Sequence, residues 1–258
     1  TPKHIILYQA LGWQIPEFAH IPLILNPNKS KMSKRKDGDL VWLSSYRKQG
    51  YLPEAIINYL ALLGWGEGGD REEYSLQELI ERFDLSRVHS AGAVFDIKKL
   101  QAFNSRYIKK LSDQEYLKWC KQFLLDIEAD DEIILRYCNL VKERLACFNE
   151  LTSLVSFLFN APDPVDPSLY VGADKAQART FLTYLRDDAS WRFTTRTEWF
   201  ADTDRFLQEH QLTRQQTLGL LRASLTGLNQ SPDALEIALV LGKEETLKRY
   251  QAVCQMLA

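Results

Sequence analysis

Residues 132–159 read EIILRYCNLVKERLACFNELTSLVSFLF, a stretch with neither glycine nor proline. Ile134, Tyr137, Val141, Leu145, Phe148, Val155 and Leu158 recur in it at helical spacing and mark one broad apolar stripe. The stripe predicts either one long core helix or two short ones. Downstream, Ala161-Pro162-Asp163-Pro164-Val165-Asp166-Pro167 breaks the pattern and predicts a loop at a module boundary, with helices resuming near Lys175. Ser231-Pro232 has the form of an N-cap followed by proline at the first helical position, and Gly242 would end that helix. Upstream, Pro53 near a first turn, then Ile56, Ile57, Leu60 and Leu63, bounded by Gly50 and Gly64, predict an amphipathic helix. Gly64 to Asp70 is glycine-rich, but no GK[ST] follows it and no strand precedes it, so it predicts a plain connection. Strand-like patterning is confined to Ile21–Leu25. The fold expected is therefore mainly α.

Apolar residues make up 45% of the 258 and charged residues 26%, the balance of a folded globular protein rather than a disordered or fibrous one. Cys120, Cys138, Cys147 and Cys254 form no CxxC pair and have no histidine at zinc-ligand spacing, so they read as reduced core thiols and no metal site is expected. His4, His20, His89 and His210 are isolated, which suits packing or surface roles better than catalysis. No apolar run reaches the roughly 20 residues of a membrane span, and a cytoplasmic protein is expected. The start, Thr1-Pro2-Lys3, carries no initiator Met or signal peptide, so the chain reads as part of something longer. Net charge is only -2, yet residues 1–50 carry eight Lys and Arg against three acids, leaving -7 on the rest. Concentrating cations at one end is a signature of contact with a polyanion.

The densest cationic stretch is Asn28-Lys29-Ser30-Lys31-Met32-Ser33-Lys34-Arg35-Lys36-Asp37-Gly38, where five of the eight residues from Lys29 to Lys36 are basic. A short basic run is often a solvated loop or an address signal. It also suits a triphosphate. When a carboxylate attacks the α-phosphate of ATP, negative charge builds on the departing pyrophosphate, and a lysine on a mobile loop lowers that barrier electrostatically.

Lys31-Met32-Ser33-Lys34-Arg35 resembles the Lys-Met-Ser-Lys-Ser loop of class I aminoacyl-tRNA synthetases. Arg35 in the final place is typical of the glutamyl and glutaminyl branch. The flanks Thr1–Trp13, Phe18–Leu25, Gly50–Ala55 and Asn58–Trp65 are similar to the segments around that loop in glutamyl enzymes. Phe95-Asp96-Ile97-Lys98-Lys99-Leu100, with Asn104 and Tyr107-Ile108, is similar to the segment gripping the inner side of the tRNA, although Ala102 stands where the family often has Trp. Leu221–Gly227, Ser231-Pro232 and Leu241–Arg249 resemble the end of the bacterial glutamyl anticodon-binding domain, with Leu220 replacing a frequent Pro and Ser231 a frequent Thr.

The resemblance implies the C-terminal half of a bacterial-type glutamyl-tRNA synthetase. Its fold would be the remnant of a Rossmann-type catalytic domain over 1–45, a helical stem-contact module over 46–110 and an all-helical anticodon-binding cage over 111–258. It further implies Lys34 as the catalytic lysine within an ATP-binding loop of Lys31, Met32, Ser33, Lys34 and Arg35. By the same resemblance tRNA contacts fall on Lys98, Lys99, Asn104, Arg106, Arg222, Ser231 and Pro232, and Arg144 is a candidate for distinguishing tRNA(Glu) from tRNA(Gln). The parent enzyme would use ATP with Mg2+, glutamate and tRNA(Glu), with tRNA(Gln) open as a second substrate, and would be a monomer. The His-x-Gly-His element of the family is absent from this stretch, so the chain by itself is expected to be inactive. A glutaminyl or other class I synthetase, and a non-catalytic tRNA-binding paralogue, are the competing readings.

Overall fold

A computed structural model of the chain describes residues 1–162, 174–187, 196–228 and 230–257. The chain divides into two compact units, Thr1–Tyr107 and Ile108–Ala258. The Asp163–Pro167 part of the expected proline-rich loop lies outside the described residues.

The first unit begins with α1 (Pro2–Ala10), which buries none of its residues. Strand β1 (Ile24–Leu25) pairs in parallel with β2 (Ala93–Val94), Ile24 opposite Ala93 and Leu25 opposite Val94. Ile21 to Leu25 is therefore a strand only in its last two residues, and its partner has no counterpart in the expected pattern because a two-residue strand leaves no periodicity to read. The strands approach so closely beside Gly92 that a Cβ there would meet Leu25 Cδ1 at 2.8 Å. Helix α2 (Leu43–Gln49) ends on Gly50, whose φ of +79° is the left-handed cap that glycine adopts without strain. Helix α3 (Pro53–Gly64) starts with proline in its first turn, as its sequence predicts. It packs on α4 (Leu76–Arg82) and β2. The unit ends within α5 (Ile97–Lys110). The core is aromatic: Tyr59 meets Phe95 and Phe103 with ring centroids 5.4 and 5.8 Å apart, an edge-to-face geometry that adds to burial.

In the second unit every regular element among the described residues is helical. Helices α6 (Asp113–Phe123), α7 (Asp131–Lys142) and α8 (Leu151–Phe159) come first. The 132–159 stripe is thus two helices, broken where Phe148 turns inward against Trp119 and Phe123, at 5.3 and 5.9 Å between ring centroids. Helices α9 (Lys175–Asp187), α10 (Arg196–Glu209), α11 (Arg214–Thr226), α12 (Ala234–Leu241) and α13 (Lys243–Met256) follow. Helix α13 packs on α9, α11 and α12. All four cysteines are buried and none is in a disulfide.

One helix start differs from its sequence reading. The N-cap of α12 is Asp233, whose carboxylate accepts from the Leu235 amide at 2.9 Å, rather than Ser231. Ser231 instead turns its hydroxyl onto the Pro232 carbonyl at 2.9 Å, and Pro232 is buried. A Ser-Pro-Asp run offers two capping side chains, and packing of the proline selects the second.

Candidate functional site

The basic loop is built as a hairpin on the end of β1. Lys31 returns opposite Leu25, and the Met32 amide donates to the Ile24 carbonyl at 3.0 Å. Lys29 sits at the tip with φ +63°, closing the turn through its amide to the Asn26 carbonyl at 2.8 Å. A second turn follows directly, with the Asp37 amide donating to the Ser33 carbonyl at 2.9 Å. Lys34, Arg35 and Lys36 are exposed on that turn, while Met32 and Ser33 are half-buried beneath it. The Lys34 ammonium lies 4.5 Å from the centroid of the Trp42 ring and has no acidic partner among the described residues. Sequence reading singled out the basic residues but not Trp42, Asn26 or Asp37, whose contacts shape the loop.

Helix α5 carries the second group. Lys98 is exposed. Lys99 pairs with Glu72 at 2.6 Å, and Arg106 spans Glu72 and Glu73 at 3.7 and 3.1 Å while lying 4.4 Å from the Phe103 centroid. The Lys99 hydrogen bond, more than any other contact, holds the Glu72 carboxyl below its usual range. Two of the expected cations are thus already neutralised within the chain. Asn104 is not on this surface at all. It is fully buried, and its side-chain oxygen accepts from the Leu52 amide at 2.8 Å at the start of α3. That first-turn amide has no helical partner of its own, and a buried orphan donor costs about 1–3 kcal/mol, so the helix interior recruits an asparagine.

Arg222 lines an open cleft of about 630 Å³ beside α10 and α11, together with Thr197, Phe200, Arg214, Gln215 and Leu218. Arg214 is fixed by two hydrogen bonds to Asp204, one of them 3.0 Å from Nε to Oδ1, and its guanidinium lies 4.5 Å from the Phe200 centroid. The same bonds hold the Asp204 carboxyl below its usual range. Arg222 Nε is buried with no partner among the described residues. A donor in that state is stabilised by any acceptor that enters the cleft. Arg144 and Ser231, 87 positions apart, are brought together: Arg144 Nη1 donates to the Ser231 carbonyl at 3.0 Å. Neither of them lines the Arg222 cleft. Among the described residues no group of three His, Cys, Asp or Glu side chains is placed to hold a metal ion, and no helix is long and apolar enough to cross a membrane.

Two known families match the chain in succession. Residues 1–102 match the catalytic domain of the class I tRNA synthetases (E and Q), and residues 101–254 match the anticodon binding domain. The chain belongs to the class I synthetases whose catalytic domain is followed by a helical anticodon-binding domain. The glutamate–tRNA ligase of Flavobacterium johnsoniae is 37% identical over 97% of this chain and 53% of its own length. That of Finegoldia magna is 35% identical over 96% of the chain and 52% of its own length. The crystal structure of a glutamate tRNA ligase from Elizabethkingia meningosepticum, in complex with its amino acid, superposes with a TM-score of 0.82 at 33% identity, covering 99% of this chain and 55% of that one. The chain is similar to the C-terminal portion of these glutamate–tRNA ligases and spans about half the length of the curated relatives it matches.

Proposed function

We propose that the chain is the tRNA-binding portion of a glutamate–tRNA ligase, and that the complete protein joins glutamate to tRNA(Glu) at the expense of ATP. The observation that carries this is the succession of the two matched families along one chain, with Lys34 in the first and Arg222 in the second. Residues 1–45 contribute the end of the catalytic domain, 46–110 the stem contact and 111–258 the anticodon contact. In the first reaction the glutamate carboxylate attacks the α-phosphate, and the bond to the β-phosphate breaks. Lys34 meets the charge on the leaving pyrophosphate, while Lys31, Met32, Ser33 and Arg35 form the rest of the nucleotide loop. Mg2+ accompanies the triphosphate. The experiment that tests this is aminoacylation of purified tRNA(Glu) and tRNA(Gln) by the complete protein, where glutamate should be attached to the first; charging of neither would overturn the reading.

Lys98, Lys99 and Arg106 face the phosphates of the tRNA in this proposal, and the acids beside them set how strongly. Glu72→Gln removes the carboxylate that engages both Lys99 and Arg106. It should tighten tRNA binding and steepen the dependence of log affinity on log salt by about one, since it frees Lys99 to neutralise one phosphate while Arg106 keeps its contact with Glu73 at 3.1 Å. Equal salt slopes for the variant and the parent chain in a filter-binding titration would show that this face does not meet the tRNA.

Arg222 contacts the anticodon from its cleft, Ser231 is a second contact outside that cleft beside Arg144, and the buried Pro232 sets the backbone there rather than touching the tRNA. A guanidinium stacks on an unpaired base and donates paired hydrogen bonds to its edge, which lysine reproduces poorly. Arg222→Ala should lose about 1–3 kcal/mol of tRNA binding, selectively against anticodon variants and with helix content unchanged. If the variant melts early and binds native and anticodon-swapped tRNA in the parental ratio, Arg222 is structural.

A further inference from the structure

The geometry points to Asp37 as a positioning residue for Lys34: its carboxylate pins the turn that aims the Lys34 ammonium. This rests on the assignment of the loop to the nucleotide. Asp37 is the one acid in an eleven-residue stretch that carries five cations, and Coulomb repulsion among those cations favours an open, disordered turn. The structure shows what opposes that. One Asp37 oxygen, Oδ2, accepts from the Ser33 backbone amide at 2.6 Å. The other, Oδ1, accepts from the Asn26 side-chain amide at 2.9 Å. Together with the Asp37 amide bonded to the Ser33 carbonyl, these contacts close a ring around Lys34, Arg35 and Lys36.

Asn26 ties that ring to the framework. It directly follows β1, and its backbone amide is bonded to the Ser30 carbonyl at 2.8 Å. Asp37 therefore links the end of a paired strand to the residue immediately before Lys34. Ser33 N is a donor with no strand or helix partner, and a charged acceptor is the stronger kind to supply there. The lysine keeps its own freedom, since among the described residues its ammonium meets the Trp42 ring and no acid while its backbone is fixed. Holding the stem and freeing the head is what a cation that must meet charge arising late in a reaction needs.

The test uses the complete ligase with Asp37→Ala, Asp37→Asn and Asn26→Ala. Readouts are ATP–pyrophosphate exchange in the presence of saturating tRNA(Glu), resolved into kcat and KM for ATP, hydrogen exchange of the Ser33 amide, tRNA affinity and thermal melting. Asp37→Ala should lower kcat about 10- to 100-fold, the scale of a misaimed group, with KM for ATP and tRNA affinity changed less than about threefold and the Ser33 amide exchanging faster. Asp37→Asn should restore part of kcat, because its oxygen can still take the Ser33 amide while its NH2 meets a flipped Asn26, the neutral acceptor holding the turn less firmly than the carboxylate. Asn26→Ala should fall in the same direction as Asp37→Ala by a smaller factor, and combining it with Asp37→Ala should add little, as for two ends of one interaction. An Asp37→Ala variant with unchanged kcat, or one whose tRNA affinity and melting fall in step with kcat, would overturn the inference. So would an Asp37→Asn variant as poor as Asp37→Ala, which would make charge rather than pinning the cause. Absence of exchange in the unmutated ligase would overturn the ligase reading and this inference with it. Normal exchange in the unmutated ligase with an unaffected Asp37→Ala variant would overturn this inference alone.

Discussion

Lys34→Ala in the complete ligase should slow adenylate formation about 100-fold or more while leaving tRNA affinity nearly intact. The size follows from removing one preorganised charge from a developing anion, which costs about 2.7 kcal/mol or more. The structure makes Lys34 suitable for that role in two ways. Its backbone is held in the turn after Ser33, and its ammonium is exposed beside Trp42 without an acidic partner among the described residues. A cation–π contact at an exposed site is worth only about 0.5–1 kcal/mol, so the ammonium leaves the ring at little cost when a triphosphate is presented. Lys31 and Ser33 should matter less, since one begins the return strand of the hairpin and the other is committed to Asp37 through its amide. ATP–pyrophosphate exchange is the measurement, and an unchanged rate in Lys34→Ala would move the role to a neighbouring cation.

The largest stability loss should come from Arg249→Ala, about 3–5 kcal/mol. Arg249 is 3% exposed at the centre of the second unit. Its Nη1 donates to the Phe157 carbonyl at 2.7 Å and to the Leu225 carbonyl at 2.6 Å, while Nε bonds to Glu245 at 2.8 Å. Phe157 and Leu225 lie in the last turns of α8 and α11, where helix carbonyls have no intrahelical donor. One guanidinium thus caps two helices from a third. Truncation leaves two buried carbonyls without their donor and Glu245 with only the looser Lys248 contact at 3.7 Å, which is why the loss exceeds that of a surface pair. Denaturant unfolding of the chain checks it. A loss below about 1 kcal/mol would mean that water replaces the guanidinium.

The parts of this fold that were legible in sequence are those written in spacing. Proline at the start of α3, glycine at the end of α12, and the apolar stripe of α7 and α8 all follow from backbone rules acting over a few residues, whereas Gly50, read as the boundary before α3, also ends a helix that the sequence reading does not predict. The basic loop was legible because its residue types and their order are the chemistry. What was not legible depends on partners far along the chain. Arg249 reads as one more cation on a polar helix until the carbonyls 92 and 24 positions away are placed against it. Asn104 sits amid basic residues and reads as a contact, yet it serves the Leu52 amide 52 positions upstream. Glu72 and Glu73 give no sign in sequence that they neutralise Lys99 and Arg106. Asp37 has partners only four and eleven positions away, but hydrogen bonds made within an irregular loop have no periodicity to announce them.

As proposed above, the chain should read a glutamate tRNA through its anticodon-binding domain. Binding of the 258-residue chain to a tRNA(Glu) transcript, and to the same transcript with its anticodon replaced, tests it most directly at one fixed salt concentration. Replacement should weaken binding at least about tenfold, the equivalent of 1.4 kcal/mol lost from base contacts while phosphate contacts persist. Equal affinity for the two transcripts would contradict it.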